Sequence, residues 1–170
     1  ISRAVLDQSL LASAIAAGAE FHNHMLADEV ATDQNGVIVG CRDGSRLRAD
    51  FVVACDGGAS RMRAALGIPP VAAHRRGIAY RAYFANARLS RPHALTLYYT
   101  RDLLPFYGWI FPAAGGRANV GVALLEDKVL SRRTTLFSAF ERFLAEPAVR
   151  AELNGARQIG RGQGGHVPMD

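Results

Sequence analysis

The chain has 170 residues, a hydrophobic fraction of 49% and a formal net charge of +5. This length is enough for one domain with a core or for a large part of a longer protein, and the apolar content excludes a disordered chain. No run approaches the ~20 apolar residues that a membrane-spanning helix needs, and the opening residues predict an amphipathic helix rather than a secretory leader. The two cysteines form no C-x-x-C pair, so neither a disulfide framework nor a zinc site is expected.

The first fifty residues predict a helix followed by a β-meander. The helix is expected from about Arg3 to Ala17, where Gly18 can end it. Strands are expected at 20–25, 27–32 and 37–41, with a hairpin turn at 34–36. His22 and His24 would share one side of the first strand, but no third ligand has a useful spacing, so no metal is predicted.

Residues 49–68 predict a strand, an acidic turn and a helix. Phe51 to Cys55 is a short apolar run that indicates a buried strand, Asp56-Gly57-Gly58 stops it, and residues 59–66 are helix formers. The Asp56 carboxylate would then lie at the carboxyl end of a strand, where open α/β sheets bind ligands. Backbone N–H groups at the helix start would suit a phosphate or a ribose hydroxyl. The alternative is an ordinary corner in which Asp56 caps the helix.

After Pro69-Pro70 the pattern changes to an antiparallel sheet. Strands are expected at 78–85, 94–100, 107–112 and 118–125, followed by helices at 131–145 and 148–153. Gly160-x-Gly162-x-x-Gly165 satisfies a dinucleotide-binding spacing, but it has no following helix and is rejected as such a loop.

An aromatic stripe marks the third of these strands. The two-residue period of a strand places Tyr107, Trp109 and Phe111 on one face, which would suit a long apolar ligand or form the core side of the sheet. Residues 57–125 hold nine arginines and one acid, which favours an anionic ligand. Nucleic acid is disfavoured because the arginines are dispersed.

Three phrases carry a family resemblance, one of which is R-x-x-x-D-x-x-L at 3–10, beginning with Arg3. Asp56-Gly57-x-x-Ser60-x-x-Arg63 resembles the Asp-Gly fingerprint of the flavoprotein monooxygenase and geranylgeranyl reductase superfamily, with Ala54 in place of a usual glycine. Tyr-x-Trp-x-Phe-Pro at 107–112, with N-V-G-V at 119–122, is similar to the sequence that marks geranylgeranyl reductases. The spacing of Pro105 departs from the family pattern.

The resemblance implies a fold and a set of site residues. The fold is α+β / α/β: part of an FAD-binding Rossmann-like domain (1–68), an antiparallel substrate sheet with a flanking helix (69–158), and a return strand toward the FAD domain (159–170). The chain would be the middle portion of a longer protein. The cofactor and substrate residues that it implies are Arg3, Asp56, Gly57, Ser60 and Arg63 for FAD, and Tyr107, Trp109, Phe111 and Pro112 for the substrate.

The implied function is reduction of isoprenoid double bonds by hydride transfer from reduced flavin, with NAD(P)H or ferredoxin as the electron donor. No residue stands out as the catalytic acid. A flavin-dependent aromatic hydroxylase or halogenase is one alternative, and a non-catalytic lipid- or anion-binding module is another. The expected partner is a small apolar isoprenoid, without nucleic acid. A cytoplasmic location is expected, and peripheral membrane contact through a lipid substrate stays open.

Overall fold

A computed structural model describes residues 3–131 and 133–167, and the chain divides into two units, residues 1–70 and 71–170. The first unit contains α1 (Arg3–Ala16), β1 (Ala27–Asp33), β2 (Gly36–Cys41), β3 (Arg46–Ala49) and α2 (Arg61–Ala65). The second contains a 3₁₀ turn (Ala73–Arg75), β4 (Gly77–Ala85), β5 (Thr96–Tyr98), β6 (Gly108–Ala113), β7 (Arg117–Leu125), α3 (Glu126–Leu130), α4 (Leu136–Ala145), α5 (Pro147–Glu152) and β8 (Arg157–Val167). None of the helices in the described residues is both long and apolar enough to span a bilayer.

The first unit contains the predicted antiparallel meander, in the order β1-β2-β3. The hairpin between β1 and β2 turns at 34–35, and Arg48 of β3 donates two 2.9 Å hydrogen bonds to the carboxylate of Asp33. The strand expected at 20–25 is wrong. His24 has a φ of 65°, a left-handed conformation that interrupts an extended chain, and its N–H donates to the Asn23 side chain instead of to a ladder.

The apolar run from Phe51 to Cys55 was also predicted incorrectly. It forms no strand, and Phe51 and Val53 are 88% and 83% exposed. A strand is stable only where neighbouring chain satisfies its N–H and C=O groups and covers its side chains. Among the described residues, no strand pairs with this run, since the sheet of the first unit consists of β1, β2 and β3.

The second unit is built on a five-stranded antiparallel sheet in the order β5-β6-β7-β4-β8. The fold class predicted from the sequence, a mixed α/β chain with a mostly antiparallel sheet and a flanking helix, is confirmed. One face of the sheet is buried against α4 and α5. The residues of this core include Ile110, Val120, Val122, Leu124, Phe140, Phe143 and Val149.

The largest difference between a predicted and an observed helix boundary is at the start of α4. The sequence placed a helix start at Ser131, whereas α4 begins at Leu136, because Thr135 and Ser138 form a reciprocal capping box there. The unpredicted helix α3 begins at Glu126, whose buried carboxylate pairs with Arg76.

The glycine-rich segment near the end of the chain is a strand. β8 pairs with β4, and Gly160, Gly162 and Gly165 all lie within it, which agrees with the rejection of a dinucleotide loop. Gly162 lies so close to Tyr80 that a Cβ atom there would overlap the phenol ring. The description of 159–170 as a return strand toward the cofactor part stays a prediction, and residues 168–170 lie outside the described residues.

Candidate functional site

The two faces of the five-stranded sheet differ in what they carry. Along β6, Gly108 and Ile110 point to the helix-covered core, and Ile110 is 2% exposed. Tyr107, Trp109 and Phe111 therefore point to the opposite face, where they are half-buried. We call this opposite face of the second unit the open face. The aromatic stripe is thus not the core side of the sheet, which was one of the two sequence interpretations.

The open face carries a continuous row of aromatic rings. Ring centroids are 5.8 Å apart for Tyr99 and Tyr107, 6.3 Å for Tyr107 and Trp109, and 6.0 Å for Trp109 and Phe111. Tyr99 is 65% exposed and was not predicted as a site residue. Its period-two relation to Leu97, which pairs with Trp109 across the strands, was the signal that could have identified it.

Trp109 is fixed by two residues of β7. Its indole N–H donates a 2.9 Å hydrogen bond to Oδ1 of Asn119. The ring lies against Gly121, its cross-strand partner, where a Cβ atom would overlap the indole. Both residues belong to the N-V-G-V phrase, whose contribution the sequence alone did not reveal. The direction of the indole is therefore set by its hydrogen bond to Asn119 and by the absence of a side chain at Gly121.

Pro112 lies apart from the three aromatic residues. The alternation of β6 places it on the same side as Gly108 and Ile110 rather than on the open face. Pro112 lies beyond the residues of β6 that pair with β5. The missing N–H of the proline therefore removes no hydrogen bond between these two strands. Its substrate role stays a prediction.

In the first unit, Asp56 caps the start of α2. Its Oδ2 accepts hydrogen bonds from the backbone N–H groups of Arg61 (2.7 Å) and Met62 (3.1 Å). The Ser60 hydroxyl, with the N–H groups of Met62 and Arg61, holds the pKa of Asp56 below its ordinary value. The expectation that these helix N–H groups are free for a ligand is wrong, because Asp56 already binds them.

The other predicted cofactor residues are close to this corner in sequence, except for Arg3. Ser60 is the N-cap of α2, and its Oγ accepts a 3.0 Å bond from the N–H of Arg63. Gly57 has a φ of +82°, which favours glycine, and a Cβ atom there would meet nothing within 4 Å. Arg3 begins α1, is 84% exposed in its side chain, and forms an (i, i+4) ion pair with Asp7 at 3.2 Å. The ligand roles of these residues stay predictions.

The chain matches one family model and several characterised proteins. The model of the family described as "FAD binding domain" matches residues 2–104. Rifampicin monooxygenase from Streptomyces venezuelae is 38% identical over 68 residues, which are 40% of this chain and 14% of that protein. Digeranylgeranylglycerophospholipid reductase 1 from Methanopyrus kandleri is 31% identical over 130 residues, which are 73% of this chain and 34% of that protein. The chain therefore spans about a third or less of the length of these relatives.

A solved structure has the same fold. The geranylgeranyl bacteriochlorophyll reductase-like protein from Thermoplasma acidophilum superposes with a TM-score of 0.82 at 24% sequence identity. The match covers 98% of this chain and 42% of that protein.

The packing of Trp109 on Gly121 gives a testable expectation. Gly121→Ala forces the indole to move, and overpacking of this kind lowers the free energy of unfolding by roughly 1–3 kcal/mol. Thermal unfolding and the near-ultraviolet circular dichroism of the tryptophan would measure both effects. Gly165→Ala is the matched control, since it changes a sheet glycine around which the described residues leave open space. Equal, small effects of the two substitutions would contradict this account of the indole.

Proposed function

The chain belongs to the FAD-binding domain family, and from that premise we propose that it is part of an FAD-dependent oxidoreductase that reduces isoprenoid double bonds. The row of aromatic rings on the open face is the observation that carries this proposal. A row of four rings, three of them half-buried and Tyr99 exposed, lies outside the helix-covered core and offers a long apolar surface to a ligand. The names of the Methanopyrus and Thermoplasma relatives support an isoprenoid as that ligand.

The Asp56 corner fits a ribose hydroxyl of FAD. Its carboxylate is ionised at neutral pH, since its pKa is lowered, and it is exposed beside the unobstructed Gly57. Ser60 and Arg63 would support this corner, and Arg3 would reach the cofactor after leaving its weak, exposed ion pair with Asp7. Among the described residues, no glycine-rich strand-to-helix loop is available for the pyrophosphate, because the G-x-G-x-x-G segment is a strand.

The residues of this chain would bind and orient the substrate rather than carry out the redox chemistry. FAD, when bound and reduced, supplies the hydride. Tyr107, Trp109 and Phe111 would hold the apolar chain and exclude water from it. NAD(P)H or ferredoxin would supply the electrons, and the group that protonates the second carbon is not assigned.

A flavin-dependent hydroxylase or halogenase is the second candidate. The identity to rifampicin monooxygenase favours it, although that match covers 40% of this chain against 73% for the Methanopyrus reductase. The two chemistries differ in their use of oxygen, which a hydroxylase or halogenase consumes and a double-bond reductase does not.

The reductase proposal predicts turnover without oxygen. Full-length protein containing this chain, loaded with FAD and reduced with dithionite under anaerobic conditions, should add two hydrogen atoms to each double bond reduced in a geranylgeranyl substrate. Mass spectrometry of the product would detect this gain. Trp109→Ala should raise KM by about tenfold or more, whereas Phe137→Ala, an exposed aromatic of α4, should not. Oxygen consumption coupled to a hydroxylated or halogenated aromatic product would instead support the second candidate.

The cofactor assignment predicts an effect of Asp56. Asp56→Ala in the full-length protein should weaken FAD binding by roughly tenfold, as expected for the loss of a charged hydrogen-bond acceptor. Flavin absorbance retained after gel filtration would measure it. Asp43→Ala is the matched control, because Asp43 is another exposed carboxylate that accepts backbone and side-chain bonds, from Ser45. Unchanged flavin retention in Asp56→Ala would remove this residue from the cofactor site.

A further inference from the structure

The open face is not apolar throughout, because Arg81 lies at its centre. Arg81 on β4 pairs with Gly121 on one side and Gln163 on the other, and Gly121 in turn pairs with Trp109. These pairs therefore place Trp109, Gly121 and Arg81 side by side in one row across the sheet. Adjacent strands are about 4.8 Å apart, so the backbone positions of Trp109 and Arg81 are roughly 10 Å apart.

The guanidinium is held in place by neutral groups. Its Nη2 donates a 2.9 Å bond to Oε1 of Gln163, and its Cζ is 5.3 Å from the centroid of the Tyr83 ring. Within residues 3–131 and 133–167, no carboxylate forms an ion pair with Arg81. Arg76, Arg48 and Arg142 of the same chain each pair with an acid, whereas Arg117 donates to the backbone carbonyl of Ala114. Arg81 is thus oriented while its charge is left unneutralised.

A charge in this position favours one kind of ligand group. Arg81 is half-buried and lies beside the Tyr83 ring, where an anion gains more from it than it would in bulk water. The planar guanidinium presents several N–H groups that match phosphate or carboxylate oxygens. Gly121, the residue between Arg81 and Trp109 in this row, has no side chain, and the Trp109 indole lies over it.

We propose that Arg81 is a specificity-determining residue that binds an anionic phosphate group carried by the same molecule as the apolar chain. This inference rests on the proposed function and narrows it, because it selects a prenyl phosphate ester over a neutral prenyl compound. The apolar chain lies along Tyr107, Trp109 and Phe111, and the phosphate lies against Arg81. Gln163 positions the guanidinium and leaves its other N–H groups for the ligand.

Equilibrium binding to the full-length, FAD-loaded protein would test this. The probes are geranylgeranyl diphosphate, geranylgeraniol, and geranylgeraniol together with inorganic diphosphate. The first should bind about 10- to 100-fold more tightly than the alcohol, as expected for a hydrogen-bonded charge pair. Added inorganic diphosphate should not restore this difference, because the two groups must be covalently joined to gain from both contacts.

Three variants separate the role of Arg81 from general effects. Arg81→Gln should remove most of the preference for the diphosphate while leaving the affinity for geranylgeraniol within about twofold. Arg81→Lys should restore part of the preference, since it restores the charge without the planar fork. Arg150→Gln, which removes the same charge from an exposed position on α5, should leave the preference intact.

The outcomes distinguish this inference from the proposed function. Equal binding of diphosphate and alcohol, or a preference that persists in Arg81→Gln, overturns the inference and leaves the isoprenoid proposal standing. Loss of FAD rather than of diphosphate affinity in Arg81→Gln also overturns it, because the arginine would then serve the cofactor. Absence of binding by every probe contradicts the proposed function and this inference together.

Discussion

The alternation of side chains across the five-stranded sheet is the constraint on which the second unit depends. Because α4 and α5 cover only one face, every second residue of β6 and β7 enters the core and the residues between them cannot. The core therefore contains Ile110, Val120 and Val122, which pack with Phe140. Trp109 and its neighbours are committed to the other face. A shift of one residue in register would exchange these two sets and destroy both the core and the aromatic row.

The same constraint explains why glycine is needed in the middle of a buried strand. Gly121 weakens β7 locally, since it contributes no side chain to packing. The absence of a Cβ atom at Gly121 allows the indole of Trp109 to lie against β7. From there the indole donates its hydrogen bond to Asn119, two residues before Gly121. Gly121 is also the cross-strand partner of Arg81, so the indole that lies over Gly121 extends toward Arg81. A single small residue therefore shapes both the apolar part and the polar part of the open face.

Much of the second unit could be predicted from local patterns, and the first unit less so. The strands and the aromatic stripe follow from a period of two, which is a property of each segment alone. The FAD-dependent family recognised from residues 56–63 and 107–112 is confirmed by the match of the FAD-binding domain model, and the similarity to the Methanopyrus reductase agrees with it. Phe51 to Cys55 was mispredicted because apolar, β-branched residues indicate a strand only if another strand pairs with them. The N–H groups at the start of α2 are not free, and the alternative interpretation of Asp56 as a helix cap is the one observed. The start of α4 could have been read from Thr135 and Ser138, whose spacing is that of a capping box.

The central claim is that the open face, and not the helix-covered side, receives the apolar ligand. Nuclear magnetic resonance of the full-length protein with ¹⁵N-labelled indole and ¹³C-labelled methyl groups would test it most directly during titration with a geranylgeranyl compound. The account predicts that the Trp109 indole signal shifts with saturation while the methyl signals of Ile110 and Val122 remain nearly unchanged. Saturable shifts confined to the core-side methyl groups, with the indole signal unmoved, would contradict it.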